Sequence, residues 1–353
     1  MNQHPLSQFD YPINETNIGR HPAEPRDEAN LFVYNTKTDE VIFDKFYNLT
    51  EYLPENSLMV MNNTGVIPAR VFFIKDTGGK VEGLVLLNEG IQADGTIATI
   101  VNKKVIPGRV LILENYEFEI VRQNQQYFYL KPKFNVELLP ELLVKYGTTP
   151  TPKYLGKLDM DENTLRNRYQ TIYANEMKSV AAPTASLHFT QRVFDKMIKK
   201  NIEKAEVTLH VGMGTFAEVS EENITNRKLH TEPISIPETT IVKIRQAKDK
   251  RRPVIAVGTT AIRTLESQQE SLLDVDYSSN ILTSTDLFIM PGFQFKIADI
   301  LITNFHVPKS SLMALVQAFL EQKKAKSDLV SLYKIALEND FKFYSFGDSM
   351  LIL

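Results

Sequence analysis

The chain has 353 residues, is 43% hydrophobic and carries a formal net charge of −3, so any nucleic-acid contact must use a local basic patch. It contains no cysteine, which excludes disulfides, thiolate catalysis, zinc–thiolate sites and iron–sulfur clusters. The length suggests two domains. Met1–Asp10 is polar, without the apolar core of a signal peptide, and no apolar run approaches the roughly 20 residues that span a bilayer. A cytoplasmic protein with no membrane partner is expected.

Leu31–Tyr34 and Leu58–Met61 are short apolar runs bounded by Asn, Pro and Gly, and read as buried strands. From about Arg70 to Phe134 the pieces Val71–Ile74, Val81–Leu87, Ile97–Val101, Val110–Leu113, Phe118–Val121 and Tyr127–Leu130 are β-rich. Gly78-Gly79, Asp94-Gly95 and Pro107-Gly108 punctuate them as turns. Several short strands with frequent turns indicate a small antiparallel barrel or sandwich.

From about Val136 the pattern becomes helical, then alternates strand and helix. Helices are expected at Asp161–Tyr173 with Asp161 as cap, after Thr190 with an apolar face of Val193, Phe194, Met197 and Ile198, and near Glu238–Lys250, Thr260–Gln269, Ser310–Gln322 and Asp328–Glu338. Buried strands are expected at Val207–Val211, Val254–Val257, Leu287–Met290, Ile300–Ile302 and Met350–Leu353. The early strands at 31–34 and 58–61 need this later sheet for a core. The expected fold is therefore an α/β main domain, residues 1–69 plus 136–353, with an inserted small antiparallel β-barrel domain at 70–135.

His188, His210 and His306 fall at three strand or loop ends, as do Thr259, Thr260 and Asn304, which places them together at one edge of an α/β sheet. A lone histidine such as His210, between Leu209 and Val211, is more often a satisfied core residue. Val254–Thr260 runs from a strand into a helix start, where free N–H groups attract anions, although an ordinary threonine-capped turn has the same spacing. Gly212-Met213-Gly214 is an incomplete glycine motif. No HxxxH or HExxH spacing supports a metal, and no nucleophile elbow surrounds Ser186. Asp348 and Glu266 are the acidic candidates for base or histidine-orienting work. For Glu266 the ordinary alternative is an i,i+3 pair with Arg263.

The order of these motifs resembles the S-adenosylmethionine:tRNA ribosyltransferase-isomerase family of queuosine biosynthesis. The likeness runs through His21–Asp27, Asn62-Asn63-Thr64 with Val66–Arg70, Gly78–Glu82, Arg168–Ala174, Val180–Phe189, Val207–Phe216, Val257–Arg263, Phe288–Phe293, Thr303–Pro308 and Tyr344–Met350. It implies an α/β domain interrupted by a β-barrel. The implied reaction transfers and isomerises the ribosyl part of S-adenosylmethionine onto the 7-aminomethyl-7-deazaguanine of a tRNA wobble position, giving epoxyqueuosine, adenine and methionine. The partners are S-adenosylmethionine and that tRNA, with no other cofactor and no metal; a monomer is expected. The resemblance implies catalytic roles for His188, His210, His306 and Asp348. It implies substrate binding by Asn63, Arg70, Pro183, Thr184, Thr208, Gly214, Thr215, Thr259, Thr260, Arg263, Glu266, Phe293, Asn304 and Tyr344.

The chain departs from the family pattern at Asn30 and Gly65, where the family has arginine, at Ser186, at Arg227 in place of histidine, and at Lys342. The alternative readings are a paralogue acting on S-adenosylmethionine or a modified nucleoside without full tRNA activity, and a non-catalytic RNA-binding protein of the same fold. For tRNA contact the basic candidates are Arg70, Lys80, Lys103, Lys104 and Arg109.

Overall fold

In the computed structural model, which describes residues 6–212, 219–274 and 279–353, the first two apolar runs become strands β1 (Asn30–Asn35) and β3 (Leu58–Asn62), joined by two strands the sequence did not announce, β2 (Glu40–Lys45) and β4 (Thr64–Val66). Then come β5 (Arg70–Lys75), β6 (Lys80–Val85), β7 (Ile97–Val101), β8 (Val110–Leu113), β9 (Tyr116–Asn124) and β10 (Tyr127–Pro132). The later strands are β11 (Glu176–Ser179), β12 (Glu203–Leu209), β13 (Lys228–Ile236), β14 (Val254–Val257), β15 (Ile281–Leu287), β16 (Ile300–Asn304) and β17 (Ser349–Ile352).

Nine strands form one mixed sheet in the order β15-β13-β12-β3-β14-β16-β17-β1-β2. Its centre, β12-β3-β14-β16, is parallel. The early strands β1 and β3 thus lie inside a sheet otherwise made largely by the second half of the chain. Side chains alternate between its two faces, as a strand dictates. Leu58 and Val60 of β3 join the core under the helices Glu238–Asp249, Gly258–Glu266, Ser311–Gln322 and Leu329–Glu338. Met59 and Met61 join the opposite core, with Val193 and Met197 of the helix Gln191–Lys199. Both faces are covered, so β3, β14 and β16 are buried throughout and read as unbroken apolar runs. Each fully buried Val, Leu or Ile there contributes about 1.5–3 kcal/mol.

Strands β5 to β10 close into a separate barrel in the order β10-β7-β6-β5-β8-β9. Its interior takes Val71, Phe73, Val81, Phe118 and Leu130. Gly83 lets Phe73 lie across β6, since a Cβ there would come within 2.6 Å of the ring. Chain entry and exit are tied by a two-stranded parallel sheet, β4 with β11.

Some sequence expectations shift. The helix expected over 161–173 is shorter, Glu162–Arg168, although Asp161 does cap it by accepting the Thr164 N–H at 3.0 Å. Thr190 stands at a helix start but donates its hydroxyl to Asp27 instead, at 2.6 Å. Ile198, expected on the buried face of that helix, is 70% exposed. The strand expected over 287–290 is the preceding segment, β15; Phe288 and Ile289 are buried in the connection after it.

Candidate active site

Because β12, β3, β14 and β16 run parallel, their carboxyl ends meet at one edge of the sheet, where open α/β sheets place ligands. Asn63, His210, Gly258 and His306 follow those ends directly or within two residues. Strand β17 is antiparallel to β16 and pairs Ser349 with Asn304, so Asp348 reaches the same edge from the other direction. Strand β1 lies parallel to β17 and brings Asn30 there as well.

His188 lies just past the turn Thr184–Ser186, whose entry residue Pro183 is buried. Asn304 ties this turn to the sheet. Its Oδ1 accepts from Thr184 Oγ1 at 2.8 Å, and its Nδ2 lies 3.5 Å from His188 Nε2 and 3.3 Å from the Asp348 carbonyl. The amide therefore faces the histidine with its donor end. Burial pushes the His188 imidazole from 6.5 down to about 4, so it is neutral at pH 7.

His306, two residues beyond Asn304, holds Thr303 Oγ1 through Nε2 at 2.8 Å. Its backbone N–H donates to Tyr333 Oη, and its carbonyl accepts from Tyr11 Oη. Burial lowers its imidazole to about 3. Tyr344 sits beside this group, donates its N–H to the Phe305 carbonyl at 3.0 Å and packs on Tyr154. Its φ of +74° is a conformation that side chains other than glycine rarely adopt.

His210 is less buried than the other two. Its Nδ1 lies 2.9 Å from Thr64 Oγ1, which in turn meets Ser179 Oγ at 2.7 Å. Burial first, then the Lys178 ammonium, pushes it down to about 4. Alongside, Thr208 donates to Asn63 at 2.7 Å and Asn63 donates to Glu206. Asn62 stitches β3 to β12, accepting the Leu209 and Thr64 N–H groups and donating to the Leu209 carbonyl.

The helix Gly258–Glu266 packs across all four parallel strands. Gly258 has φ +85° and lies against Ala185, which brings Thr259 and Thr260 beside the turn that leads to His188. The Thr260 hydroxyl is buried without a protein partner. Arg263 forms a buried ion pair with Glu232 and donates to the Leu287 carbonyl at 3.2 Å. Glu232 also accepts the Gly212 N–H at 3.0 Å.

Other expected site residues have different surroundings. Glu266 does not pair with Arg263; it accepts the Lys296, Ile297 and Ala298 N–H groups at 2.8–3.0 Å, and so fixes a loop. The Asp348 carboxylate is likewise occupied, by the Asn30 N–H, the Lys342 N–H and the Asn30 amide. Burial still raises it, against those hydrogen bonds. Arg70 pairs with Glu82 on the barrel and donates to the Thr151 carbonyl. Phe293 packs on Phe295. Gly214 and Thr215 lie outside the described residues.

Sequence reasoning passed over Asn62, Thr64, Ser179, Thr303 and Glu232 as site residues. Asn62 and Thr64 flank Asn63 in the Asn62-Asn63-Thr64 motif, but their contacts cross to β12 and β11. Among the described residues no group of three His, Asp or Glu side chains is arranged to hold a metal ion, and no helix is long and apolar enough to cross a membrane. A groove of about 950 Å³ lies at the opposite end of the strands, lined by Asn56, Ile198, Glu203 and Arg252 among others. It contains none of the convergent histidines or threonines, so chemistry points to the carboxyl edge instead.

A mixed α/β sheet with neutral histidines, hydroxyls and amides at its carboxyl edge, interrupted by a closed β-barrel, defines an enzyme acting on a polar small molecule. The chain belongs to the queuosine biosynthesis protein family, whose model matches residues 6–352. It is 41% identical to the S-adenosylmethionine:tRNA ribosyltransferase-isomerase of Aquifex aeolicus, over 99% of each chain. It is also 41% identical to the protein of that name from Carboxydothermus hydrogenoformans, again over 99% of each. The crystal structure of S-adenosylmethionine tRNA ribosyltransferase from Thermotoga maritima is similar, with a TM-score of 0.55 and 29% identity, covering 98% of this chain and 100% of that one.

Proposed function

We propose that the chain is an S-adenosylmethionine:tRNA ribosyltransferase-isomerase, moving the ribosyl group of S-adenosylmethionine to the aminomethyl-deazaguanine of a tRNA wobble position. The family membership and the full-length likeness to enzymes of that name support this reading. The structural observation that carries it is the meeting of three neutral histidines with threonine and asparagine side chains at one sheet edge. We read residues 1–69 with 136–353 as the catalytic unit and 70–135 as the insertion.

The sulfonium acidifies the adjacent ribose carbon, and a neutral base takes a proton from it. Adenine leaves with help from a proton or hydrogen bond, the neutral amine forms the new bond to the ribosyl group, and methionine departs. Among the three histidines, His210 suits the base role. Thr64 anchors Nδ1, and when Nδ1 donates to Thr64 the Nε2 lone pair remains for the substrate proton. His188, fixed by Asn304, suits contact with the departing or attacking groups. Thr259, Thr260 and the helix start after Gly258 suit an anionic or polar part of S-adenosylmethionine.

Incubation with S-adenosylmethionine and tRNA carrying the precursor base tests the reading. Adenine release and epoxyqueuosine in the tRNA are expected from the parent protein. H210Q is expected to lower kcat by about a hundred- to ten-thousandfold, the usual contribution of a positioned base, with S-adenosylmethionine affinity retained. Adenine release without tRNA modification would contradict the proposed acceptor.

A further inference from the structure

We infer that the outer face of barrel strands β5 and β6 is a docking surface for the phosphate backbone and an unstacked base of RNA. This rests on the reading above that the acceptor substrate is a tRNA. Strand β5 alternates strictly: Val71 and Phe73 fill the barrel, while Phe72 and Ile74 point outward. Phe72 is 43% exposed and Ile74 41%. Neither belongs to the barrel core, so an aromatic ring and an aliphatic neighbour stand on the barrel's outer surface.

Lysines frame that pair. Lys80 lies opposite Ile74 in the β5–β6 register, and its Nζ is 4.5 Å from the Phe72 ring centroid. Lys103 Nζ donates to the Lys80 carbonyl at 3.0 Å, and Lys75 Nζ to the Lys104 carbonyl at 2.7 Å. Lys103 and Lys75 thus meet backbone carbonyls and Lys80 a ring face, and none of the three forms an ion pair with a carboxylate among the described residues. Arg70 and Arg109, by contrast, are paired with Glu82 and Asp76. A local cluster of free lysines on a chain of net charge −3, around an exposed ring, has the two elements that bind single-stranded nucleic acid: cations for phosphates and a platform for a base. The barrel also abuts the catalytic edge. Its Leu87–Glu89 turn packs on β11 and β13, and Asn88 lies against Gly212. An RNA whose target base enters the site therefore has this unit beside it.

The test measures affinity for the tRNA by filter binding between about 50 and 200 mM salt, for the parent, K80Q/K103Q, F72A and the control K334Q. K80Q/K103Q should bind more weakly and with a log–log salt slope shallower by about 1.4–1.8, two phosphate contacts' worth. F72A should lose about five- to a hundredfold in affinity with the slope unchanged, and F72W should restore it. In turnover assays both variants should raise KM for tRNA and keep kcat at saturation. Parental affinity and slope in both variants would overturn the surface while the proposed function stood. A parent with neither tRNA affinity nor tRNA-dependent adenine release would overturn that function and this surface with it. Competition by poly-aspartate as effective as by tRNA would assign the face to acidic polypeptides and overturn the inference.

Discussion

Asn304 contacts Asp348 through its backbone carbonyl, 3.3 Å from the Asn304 Nδ2, while the Asp348 carboxylate is turned toward Asn30 and Lys342. The aspartate therefore acts as an anchor for the strand end, and Asn304 passes that anchorage to Thr184 and His188. Asn304 is a positioning residue in this arrangement, setting the orientation of a neutral imidazole.

Replacing Asn304 tests that. N304A leaves Thr184 without its acceptor and His188 without its neighbour, a cost of about 1–3 kcal/mol. kcat should fall with KM for S-adenosylmethionine little changed, and N304D should not rescue it, since it presents no donor to His188. Parental kcat with only a lowered Tm would make His188 a packing residue.

The Arg263–Glu232 pair is buried on both sides. Removing one partner strands a charge, so E232L or R263M alone should destabilise by about 3–5 kcal/mol in urea unfolding. The double variant E232L/R263M should recover much of that. Equal loss in the double and single variants would show that the Gly212 and Leu287 contacts, and not the charge pair, dominate.

Acid should weaken the fold from neutral pH downward. In the native state His188 and His210 titrate near 4 and His306 near 3, all below the unfolded value of 6.5. The unfolded chain takes up protons first. Stability is thus full above about 6.5 and falls as pH drops toward 4, by up to about 1.4 kcal/mol per unit for each histidine. Asp348 and Glu266, raised by burial, titrate in the opposite sense and offset part of the loss. Denaturation midpoints at pH 8, 7, 6 and 5 would show the slope, and H306Q should flatten it.

Family arginines cannot simply be reinstated at Asn30 and Gly65. Lys45 Nζ donates to Asn30 Oδ1 at 2.7 Å, so N30R sets two cations together, at a cost of roughly 1–4 kcal/mol. N30R should lower Tm, and N30R/K45M should restore it through a two-pronged contact with Asp348. At Gly65 an added Cβ would run into Met177 Sδ, a side chain that is 44% exposed and able to move, so G65R should be better tolerated with M177A. Identical Tm values for N30R and the parent would show that Lys45 moves away unaided.

The barrel strands were legible because most of them, such as β5 and β6, alternate inward and outward, and Gly78-Gly79, Asp94-Gly95 and Pro107-Gly108 punctuate them. Val254–Val257 was legible for the opposite reason: buried on both faces, it is one apolar run. Strands β13 and β15 were not, since Lys228–Ile236 and Ile281–Leu287 are rich in Thr, Ser, Glu and Asp, as suits strands on the sheet's margin. The histidines were legible as strand-end residues. Their partners were not, because Thr64–His210 spans 146 residues and His188–Asn304 spans 116, and no local pattern encodes such pairings.

Strand β17 follows β1 by most of the sequence, yet lies between β16 and β1. A ribosome delivers β1 and β2 hundreds of residues before the strand that attaches them. Until β17 is made, that hairpin has no partner in the sheet, whereas β3 can already pair with β12 and β14, so attaching the hairpin is a slow, non-local closing step. Losing only Ser349–Ile352 would leave the β1–β2 hairpin detached from the sheet and take Asn30 away from the catalytic edge with it.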